Sequence, residues 1–495
     1  MTAETLTALL AERRPADSAS TMFLEVPGGV TLTYADADRE IARLANALGE
    51  LGVRPGDRVA VQVEKSPAVV LLYLACVRRG AVLLPMNTGY TDDEVSYILG
   101  DAEPGLLVQD PVRPPRSGLT VATLDAGGGG TLTELAARQR PDHEAVSTGP
   151  DDLAAILYTS GTTGRPKGAM LTQRNLASNA VALHHIWGFR PDDVVLHALP
   201  VFHTHGLFVA TNCVLANGTG MIFLPRFDPV AVLDQLPRTT VFMGVPTFYT
   251  RLLAEPGLDV ERCRHMRLFI SGSAPLLAST HDEFRERTGH RILERYGMTE
   301  TSMITSNPLD GERRPGTVGF PLPDVEVRVT AADTGAELPD GDVGGIEVRG
   351  PNVCAGYWRQ PERSAAERTA DGFFRTGDVG MIDADGYLHI VGRSKDLIIS
   401  GGLNVYPKEV EAVLDELDGI VESAVIGVPD ADFGEAVVAV VVPAVGAVVE
   451  PDAVRSAART KLAGFKVPKR VVVVDDLPRN AMGKVEKAKL RATYA

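Results

Sequence analysis

Short apolar segments with the pattern of strands alternate with helical segments through the first two thirds of the chain. A turn and strand at 56–63 leads into an apolar helix at 68–79, and the alternation repeats through 80–85, 94–99 and 105–109. Strands joined through helices pair in parallel, because a parallel connection needs a crossover. The alternation therefore predicts an α/β fold, in which ligands bind at the carboxyl ends of the strands.

The pattern changes near residue 324. Short alternating strands with Gly and Asp turns are predicted at 325–329 and 387–390, and about a hundred residues with their own helix and strands follow. A chain of 495 residues exceeds the size of a single hydrophobic core. We therefore predict a large domain of α/β sheets over 1–394, with a β-rich subdomain over about 324–394, and a small α+β domain over 395–495.

The segment 158–168 follows a predicted strand at 153–157 and concentrates hydroxyls, glycines and one lysine. Glycines allow consecutive backbone N–H groups to face an anion, hydroxyls add donors, and Lys167 adds a positive charge. The segment is not a Walker A loop, because Pro166 precedes Lys167 and Gly168 follows it. It is predicted to bind phosphate. The candidate ligands are Thr159, Ser160, Gly161, Thr162, Thr163, Gly164 and Lys167.

This segment resembles the phosphate loop of the adenylate-forming superfamily, which includes acyl-CoA synthetases, luciferases and peptide-synthetase adenylation domains. The resemblance extends over nearly the whole chain. It implies that a carboxylate attacks the α-phosphate of ATP, giving an acyl-adenylate and pyrophosphate, and that coenzyme A then accepts the acyl group. ATP and Mg²⁺ are the implied cofactors, with CoA as co-substrate. Cations and oriented donors suit this reaction, because both reacting partners are anions.

The segment 295–300 resembles the superfamily motif Y-G-x-T-E. By this resemblance Tyr296 lies against adenine, Thr299 hydrogen-bonds the α-phosphate, and Glu300 holds Mg²⁺, which prefers oxygen ligands. Thr299 and Glu300 are thereby the implied catalytic residues of this segment. The other nucleotide contacts implied are Ser273, Ala274, Pro275, Glu294, Gly297 and Met298.

The last 120 or so residues contain further motifs of the superfamily. Asp378 lies in a T-G-D motif and is the implied acceptor for both ribose hydroxyls, while Arg393 is the implied contact to ribose and phosphate. Lys484 ends a segment resembling P-x-x-x-x-G-K, whose lysine lowers the repulsion between carboxylate and α-phosphate. Lys395 matches the hinge about which the small domain turns between the two reactions. The segment that turns toward CoA contains Ser400, Gly401 and Gly402.

Arg251 follows a strongly apolar and aromatic segment, 244–250. We expect it to be buried, and a buried guanidinium needs an anionic partner. That partner is either a carboxylate of the protein, which makes a structural ion pair, or a carboxylate of the substrate. The residues around Arg251 leave both alternatives open.

The same segment, together with the His-Thr-His-Gly and Ser-Gly-Ser segments, resembles the malonyl-CoA synthetases. By this resemblance Arg251 and Ser273 bind the distal carboxylate of malonate, and His203 or His205 borders the acyl pocket. The implied enzyme is an ATP-dependent malonate–CoA ligase, for which methylmalonate is the nearest competing acid. Two alternatives remain: an acyl-CoA synthetase for a short- or medium-chain or aryl acid, or a free-standing adenylation module that loads a carrier protein.

Composition excludes other classes of function. A net charge of −15 argues against nucleic acid as the main partner. No apolar run reaches the roughly 20 residues of a membrane helix, and the N-terminal segment lacks a secretory pattern. We therefore expect a cytoplasmic enzyme that acts on small molecules, without a membrane partner. A regulatory lysine acetyltransferase acting on Lys484 would remove the charge that adenylation uses.

Overall fold

The computed structural model describes residues 4–114, 116–159, 165–401, 403–430, 432–479 and 484–495. The chain divides into two compact units, a larger one of 1–327 with 348–374 and a smaller one of 328–347 with 375–495. The sequence-based boundary and the hinge at Lys395 remain predictions. Among the described residues, no helix is both long enough and apolar enough to cross a bilayer.

The strands are β1 Met22–Glu25, β2 Thr31–Thr33, β3 Arg58–Gln62, β4 Val82–Pro85, β5 Leu106–Gln109, β6 Val121–Thr123, β7 Leu153–Thr159, β8 Lys167–Thr172, β9 Val194–His197, β10 Gly220–Phe223, β11 Val241–Gly244, β12 Leu268–Ser271, β13 Leu293–Met298, β14 Ser302–Ser306, β15 Phe320–Pro321, β16 Glu326–Thr330, β17 Gly344–Arg349, β18 Gly356–Tyr357, β19 Phe374–Ile382, β20 Leu388–Arg393, β21 Ile398–Ser400, β22 Leu403–Val405, β23 Ile420–Asp430, β24 Gly434–Pro443 and β25 Arg470–Val473.

The α-helices are α1 Leu6–Glu12, α2 Tyr34–Glu50, α3 Pro67–Arg79, α4 Asp92–Ala102, α5 Thr131–Ala137, α6 Gln173–Ile186, α7 Thr211–Asn217, α8 Pro229–Gln235, α9 Pro246–Leu253, α10 Ala278–Thr288, α11 Pro361–Ala366, α12 Pro407–Asp415, α13 Pro451–Lys461 and α14 Lys487–Tyr494. A π-helix spans His205–Ala210, and 3₁₀ helices span Leu236–Arg238 and Ser394–Asp396.

Two sheets organise the larger unit. One runs β15-β14-β13-β12-β11-β9-β10-β1-β2, and the other runs β18-β8-β7-β4-β3-β5-β6. Strands β9 to β13 pair in parallel within the first sheet, and β3, β4, β5 and β6 pair in parallel within the second. The predicted α/β fold is confirmed. Because parallel strands end at the same edge, the segments that follow β11 and β12 lie close together.

Three interior strands are buried along their whole length rather than on alternate residues. Every residue of β4, β11 and β12 is buried. Such strands are typical of parallel sheets, which are covered by helices on both faces. Helix α6 begins at Gln173, where Thr172 and Asn175 form a reciprocal capping box at its first turn.

The smaller unit is an α+β structure. Strands β16, β17, β19 and β20 form one sheet in that order. A second sheet runs β22-β21-β24-β23, with β25 paired to β24. Its core contains Val425, Ala439 and Val441 from the sheet and Val410 and Leu414 from α12. The predicted α+β fold class of the C-terminal part of the chain is confirmed.

Candidate active site

The predicted phosphate loop connects β7 to β8. The two strands are antiparallel, and Thr159 at the end of β7 pairs with Lys167 at the start of β8. The hydroxyl of Thr159 is buried and has no hydrogen-bond partner among the described residues, so it can donate to a ligand. The other predicted loop ligands, Ser160, Gly161, Thr162, Thr163 and Gly164, lie outside the described residues.

Lys167 is buried and contacts the buried Glu300 and Tyr357 and the partly exposed Glu367, a set that we call the Lys167 cluster. Lys167 Nζ donates to Glu367 Oε1 at 3.0 Å and to the Tyr357 hydroxyl at 2.6 Å. It also lies 3.7 Å from Glu300 Oε1. Strand β18 pairs with β8 and thereby places Tyr357 beside the lysine. The charge of Lys167 is therefore compensated within the protein, and its contact with phosphate remains a prediction.

The Tyr357 hydroxyl connects the two carboxylates of the Lys167 cluster. It lies 2.6 Å from Glu367 Oε2 and 3.1 Å from Glu300 Oε1. Burial, and then the charge of Glu300, raise the pKa of Tyr357, so the phenol keeps its proton. Burial also acts to raise the pKa of Glu367, but hydrogen bonds from Tyr357 and Lys167 leave that pKa lowered. Glu367 is thus an ionised partner of the lysine. No sequence motif singled out Tyr357 or Glu367.

The turn that carries Thr299 and Glu300 joins β13 to β14. Gly297 approaches β14 so closely that a Cβ atom there would lie 2.0 Å from the Ser302 carbonyl oxygen. Only glycine permits this approach. The turn buries Glu300 and leaves Thr299 partly exposed.

Glu300 is a single carboxylate and not part of a preformed metal cage. Within the described ranges, no group of three or more His, Cys, Asp or Glu side chains could hold a metal ion. Mg²⁺ is commonly bound by one or two carboxylates, while substrate phosphates and water supply the remaining oxygens. A buried carboxylate close to the phosphate loop fits that kind of site.

Arg295 is a buried guanidinium on β13 that sequence patterns did not single out. It is only 3% exposed, and its Nε and Nη2 have no hydrogen-bond partner among the described residues. Burial lowers the pKa of Arg295 to about 9, which still leaves it charged at neutral pH. The guanidinium packs on Gly272, where a Cβ would lie 2.4 Å from Arg295 Cζ. A ligand with an anionic group would supply the partner that this cation lacks.

Ser273 and His205 lie near the Arg295 guanidinium. Ser273 directly follows Gly272, has φ +71°, and places its Oγ 3.3 Å from His205 Nδ1. Burial, and then the charge of Arg295, lower the pKa of His205, which is therefore neutral at pH 7. His205 begins the π-helix, a conformation frequent at functional sites, and its backbone N–H faces His203 Nδ1 at 3.4 Å. The structure thus gathers the predicted serine and histidines around an arginine that was not predicted.

Arg251 is exposed, so the expectation that it is buried is wrong. The buried residues of α9 are Tyr249, Leu252 and Leu253, and this helical spacing turns Arg251 to the opposite face. The argument that a buried guanidinium needs an anion therefore applies to Arg295 instead. Binding of a distal carboxylate by Arg251 remains a prediction.

Glu294 lies next to Arg295 on β13 and is also buried. Its Oε1 accepts a hydrogen bond from Gly316 N at 3.2 Å. Burial raises the pKa of Glu294 to about 8, so it is mostly protonated at neutral pH. Its contact with nucleotide stays a prediction. Of the other predicted nucleotide contacts, Tyr296 is buried, Met298 is partly exposed, and Ala274 and Pro275 are exposed.

In the smaller unit, the T-G-D motif and Arg393 are brought together. Asp378 on β19 is directly opposite Arg393 on β20, and Asp378 Oδ1 lies 2.6 Å from Arg393 Nε. The backbone N–H of Asp378 donates to Thr376 Oγ1 at 3.0 Å. The ion pair orients one oxygen of the carboxylate. These two predicted nucleotide ligands, distant in sequence, are thus adjacent in space.

The remaining predicted residues of the smaller unit are spread over several elements. Lys395 is exposed in a 3₁₀ helix, Ser400 is buried at the end of β21, and Gly401 has φ +61°. Lys484 is exposed, and Gly402 lies outside the described residues. The hinge, CoA-binding and catalytic roles of these residues remain predictions.

Similarity to known proteins covers almost the whole chain. The AMP-binding enzyme family matches residues 10–358, and the AMP-binding enzyme C-terminal domain matches residues 409–484. The chain is 40% identical over 476 residues to a feruloyl-CoA synthase of Amycolatopsis sp, covering 94% of this chain and 95% of the relative. It is 35% identical over 484 residues to a malonate–CoA ligase of Arabidopsis thaliana, covering 89% and 78% respectively.

The fold also closely matches that of a solved structure. The ATP-bound crystal structure of MatB from Rhodopseudomonas palustris is similar with a TM-score of 0.96 at 55% sequence identity, and the match covers 99% of both chains. The motifs found along the chain indicate the same family as the matched family models and these relatives. The chain therefore belongs to the AMP-binding family of adenylate-forming acyl-CoA ligases, which use ATP to activate an acid and CoA to accept the acyl group.

Proposed function

We propose that the protein is a malonate–CoA ligase. Malonate and ATP give malonyl-adenylate and pyrophosphate, and CoA then gives malonyl-CoA and AMP. The observation that carries the proposal is the buried Arg295, which has two nitrogens without partners among the described residues and lies near Ser273 and His205. Methylmalonate has the same two carboxylates and is an expected second substrate.

A dicarboxylate supplies an anion for the Arg295 guanidinium, for which the described residues provide no partner at Nε and Nη2. One carboxylate of malonate reacts with ATP, while the other stays ionised and pairs with Arg295 through two parallel N–H···O bonds. The Ser273 hydroxyl donates a further bond to the same carboxylate. A monocarboxylate leaves the guanidinium buried and unpaired, which costs about 1–3 kcal/mol for each unsatisfied donor. Selection against acetate or propionate follows from that difference.

The nucleotide contacts of this proposal come from the motif residues. Thr299 hydrogen-bonds the α-phosphate, Asp378 accepts from the ribose hydroxyls, and Lys484 lowers the repulsion between the acid and ATP. Glu300 would hold Mg²⁺, whose charge offsets the charge of the phosphates. Arg393 orients Asp378 through their ion pair.

A second candidate is an aryl-acid ligase, which the similarity to a feruloyl-CoA synthase favours. An aryl monocarboxylate carries no second anion for Arg295. This candidate therefore predicts that replacing the arginine by a neutral residue leaves turnover of the aryl acid unchanged. The malonate candidate predicts a large loss.

The deciding measurement is AMP release from ATP and CoA with malonate, methylmalonate, succinate, acetate, octanoate, benzoate and ferulate. We expect the highest kcat/KM with malonate. Arg295→Met should lower kcat/KM for malonate about 100-fold, because a buried charge-assisted pair contributes several kcal/mol. Arg251→Met, run in parallel, tests whether the exposed arginine also contributes.

Each outcome assigns a substrate. If ferulate or benzoate leads, the aryl-acid candidate replaces malonate. If acetate or octanoate leads, CoA ligation stands and the role of Arg295 as a substrate ligand falls. Turnover only when a carrier protein replaces CoA would identify a carrier-loading module.

We also propose that acetylation of Lys484 switches adenylation off. Lys484 is exposed and so is open to a modifying enzyme. An acetyl group would remove the positive charge that the first reaction uses.

A further inference from the structure

A cavity with a volume of about 570 Å³ lies in the larger unit. Its walls come from α2, from the first turn of α3 and from the end of β10, where Phe223 lies. None of the residues predicted to bind ATP, CoA or the acid lines it. Its volume is within the range of small-molecule sites, and its lining is mostly apolar.

One wall of the cavity is polar. Ser66 is the N-cap residue of α3, is 2% exposed, and makes no capping hydrogen bond with its side chain. Its Oγ has no partner among the described residues, and Ser66 lines the cavity. Helix α3 is 13 residues long, so its N-terminus carries a partial positive charge at this wall. A buried hydroxyl without a partner at a helix N-terminus is a site for an acceptor atom.

Lys65 lines the same wall, directly before Ser66. Its Nζ donates to the His197 carbonyl at 2.8 Å, lies 3.1 Å from His197 Nδ1, and is 4.2 Å from the centre of the Phe223 ring. These contacts include no carboxylate. Glu40, the acidic residue of the cavity lining, is paired to Arg43 at 3.0 Å. Burial lowers the pKa of Lys65, and no carboxylate in the described part of the chain pairs with its amine.

His197 separates this cavity from the candidate acyl site. Its Nδ1 faces Lys65, while its Nε2 lies 2.9 Å from the carbonyl oxygen of Gly206, the residue after His205. The cavity is therefore distinct from the surroundings of Arg295. It presents its own cation, its own hydroxyl donor and an apolar body.

We propose that this cavity binds a second organic anion, a monocarboxylate with an apolar chain. The carboxylate would lie at the N-terminus of α3, where it accepts from Ser66 Oγ and pairs with Lys65. The chain would pack against Phe223, Leu44 and Leu71, which line the apolar part. This site goes beyond the proposed function and holds whichever acid the enzyme activates.

The test uses octanoate labelled with ¹³C at the carboxyl group, titrated into the full-length protein and followed by NMR and calorimetry. We expect saturable binding to the wild type and to Arg295→Met. Lys65→Met should weaken it at least about tenfold, because it removes a charge-assisted bond. Lys461→Met is the matched control, since Lys461 is an exposed lysine paired with Glu416 at 3.0 Å. Binding should persist when malonate and ATP are added.

A second readout needs no variant. Reductive methylation with formaldehyde, followed by peptide mass spectrometry, measures how accessible each lysine amine is. Octanoate should protect Lys65 and leave Lys461 unprotected.

Ser66→Ala should lower the affinity for octanoate with a smaller effect than Lys65→Met. The unfolding midpoint of the Ser66→Ala variant reports whether the fold is kept.

Three results would overturn the inference. These are no saturable binding by the wild type, equal binding by Lys65→Met, or loss of binding in Arg295→Met, which would place octanoate in the acyl site. Malonate turnover is measured separately, so a failure of the proposed function leaves this result unaffected. If octanoate proves to be the activated acid, persistence of binding in the presence of octanoyl-adenylate decides between the sites.

Discussion

Lys167 Nζ and Glu367 Oε1 are 3.0 Å apart although 200 positions separate them in sequence. The phosphate-loop lysine is therefore a member of a largely buried ion-pair cluster. Its second carboxylate neighbour is Glu300, at 3.7 Å, the residue proposed to hold Mg²⁺. The positive charge of Lys167 is thus compensated by Glu367 as well as by Glu300.

Glu367→Gln should make Lys167 compete with Mg²⁺ for Glu300. We expect the Mg²⁺ concentration for half-maximal ATP–pyrophosphate exchange to rise about tenfold, which corresponds to about 1.4 kcal/mol. Mg²⁺-dependent binding of ATP, measured by calorimetry, should weaken in parallel. The exposed neighbour Glu362 provides a control as Glu362→Gln. An unchanged Mg²⁺ requirement would remove Glu367 from this role.

Arg295→Met should raise stability while it lowers malonate turnover. In the wild type, two nitrogens of the buried Arg295 guanidinium have no partner among the described residues, so an apolar side chain of similar length should increase the free energy of unfolding by about 1–3 kcal/mol. Malonate should raise the Tm of the wild type but not of the variant. The exposed Arg251→Met should change stability by less than about 0.5 kcal/mol. A destabilised Arg295→Met would show that the guanidinium has a structural partner.

Gly297→Ala should damage the turn that carries Glu300. The added Cβ would lie 2.0 Å from the Ser302 carbonyl oxygen, so β13 and β14 must separate. We expect a loss of at least about 2 kcal/mol in urea unfolding, typical of overpacking against backbone. Gly100→Ala is the control, because nothing lies within 4 Å of a Cβ there and α4 favours alanine by about 0.5–1 kcal/mol. Equal effects of the two substitutions would contradict the steric explanation.

Glu294 should give the protein a pH-dependent stability. Burial raises its pKa from 4.5 to about 8, so the native state keeps a proton that the unfolded chain releases. Stability from this group is complete below pH 4.5 and is lost as the pH rises to about 8, in total by roughly 5 kcal/mol. Glu294→Gln should remove that part of the dependence. Chemical unfolding at pH 5, 7 and 9 checks it, with the exposed Glu286→Gln as control.

Lys484→Gln, which mimics acetylation, should separate the two reactions. We expect ATP–pyrophosphate exchange to fall about 100-fold or more, because a charge that stabilises the transition state is lost. Transfer to CoA from supplied malonyl-adenylate should remain within a few fold of wild type. Lys484→Arg keeps the charge and should retain more exchange activity than Lys484→Gln. Equal losses in both reactions would contradict the assignment.

Sequence patterns predicted the fold and the motif positions, but they chose the wrong buried arginine. The helical spacing in α9 could have shown that Arg251 is exposed. Tyr249, Leu252 and Leu253 form the buried face of this helix, and Arg251 is not on that face. Arg295 offered no such signal. Leu293, Glu294 and Arg295 are all buried on β13, where the strand shows no alternation between an apolar and a polar face.

The Lys167 cluster could not be predicted from the sequence for a different reason. Tyr357 and Glu367 belong to no motif, and their distance in sequence from Lys167 hides the contact. The pairing of β18 with β8 places Tyr357 beside Lys167, and Glu367 follows α11 in the same segment of the chain. Local patterns predict elements, whereas such contacts depend on which strands become neighbours.

The return of residues 348–374 to the larger unit has a consequence for synthesis. A nascent chain that has reached residue 327 still lacks Tyr357, Glu367 and the edge strand β18, so two of the partners of Lys167 are missing. Domains generally fold as units as they emerge from the ribosome. This one must wait until residue 374 is outside the exit tunnel. A fragment cut at residue 327 should therefore be less stable than the complete larger unit, because it lacks β18 and Glu367.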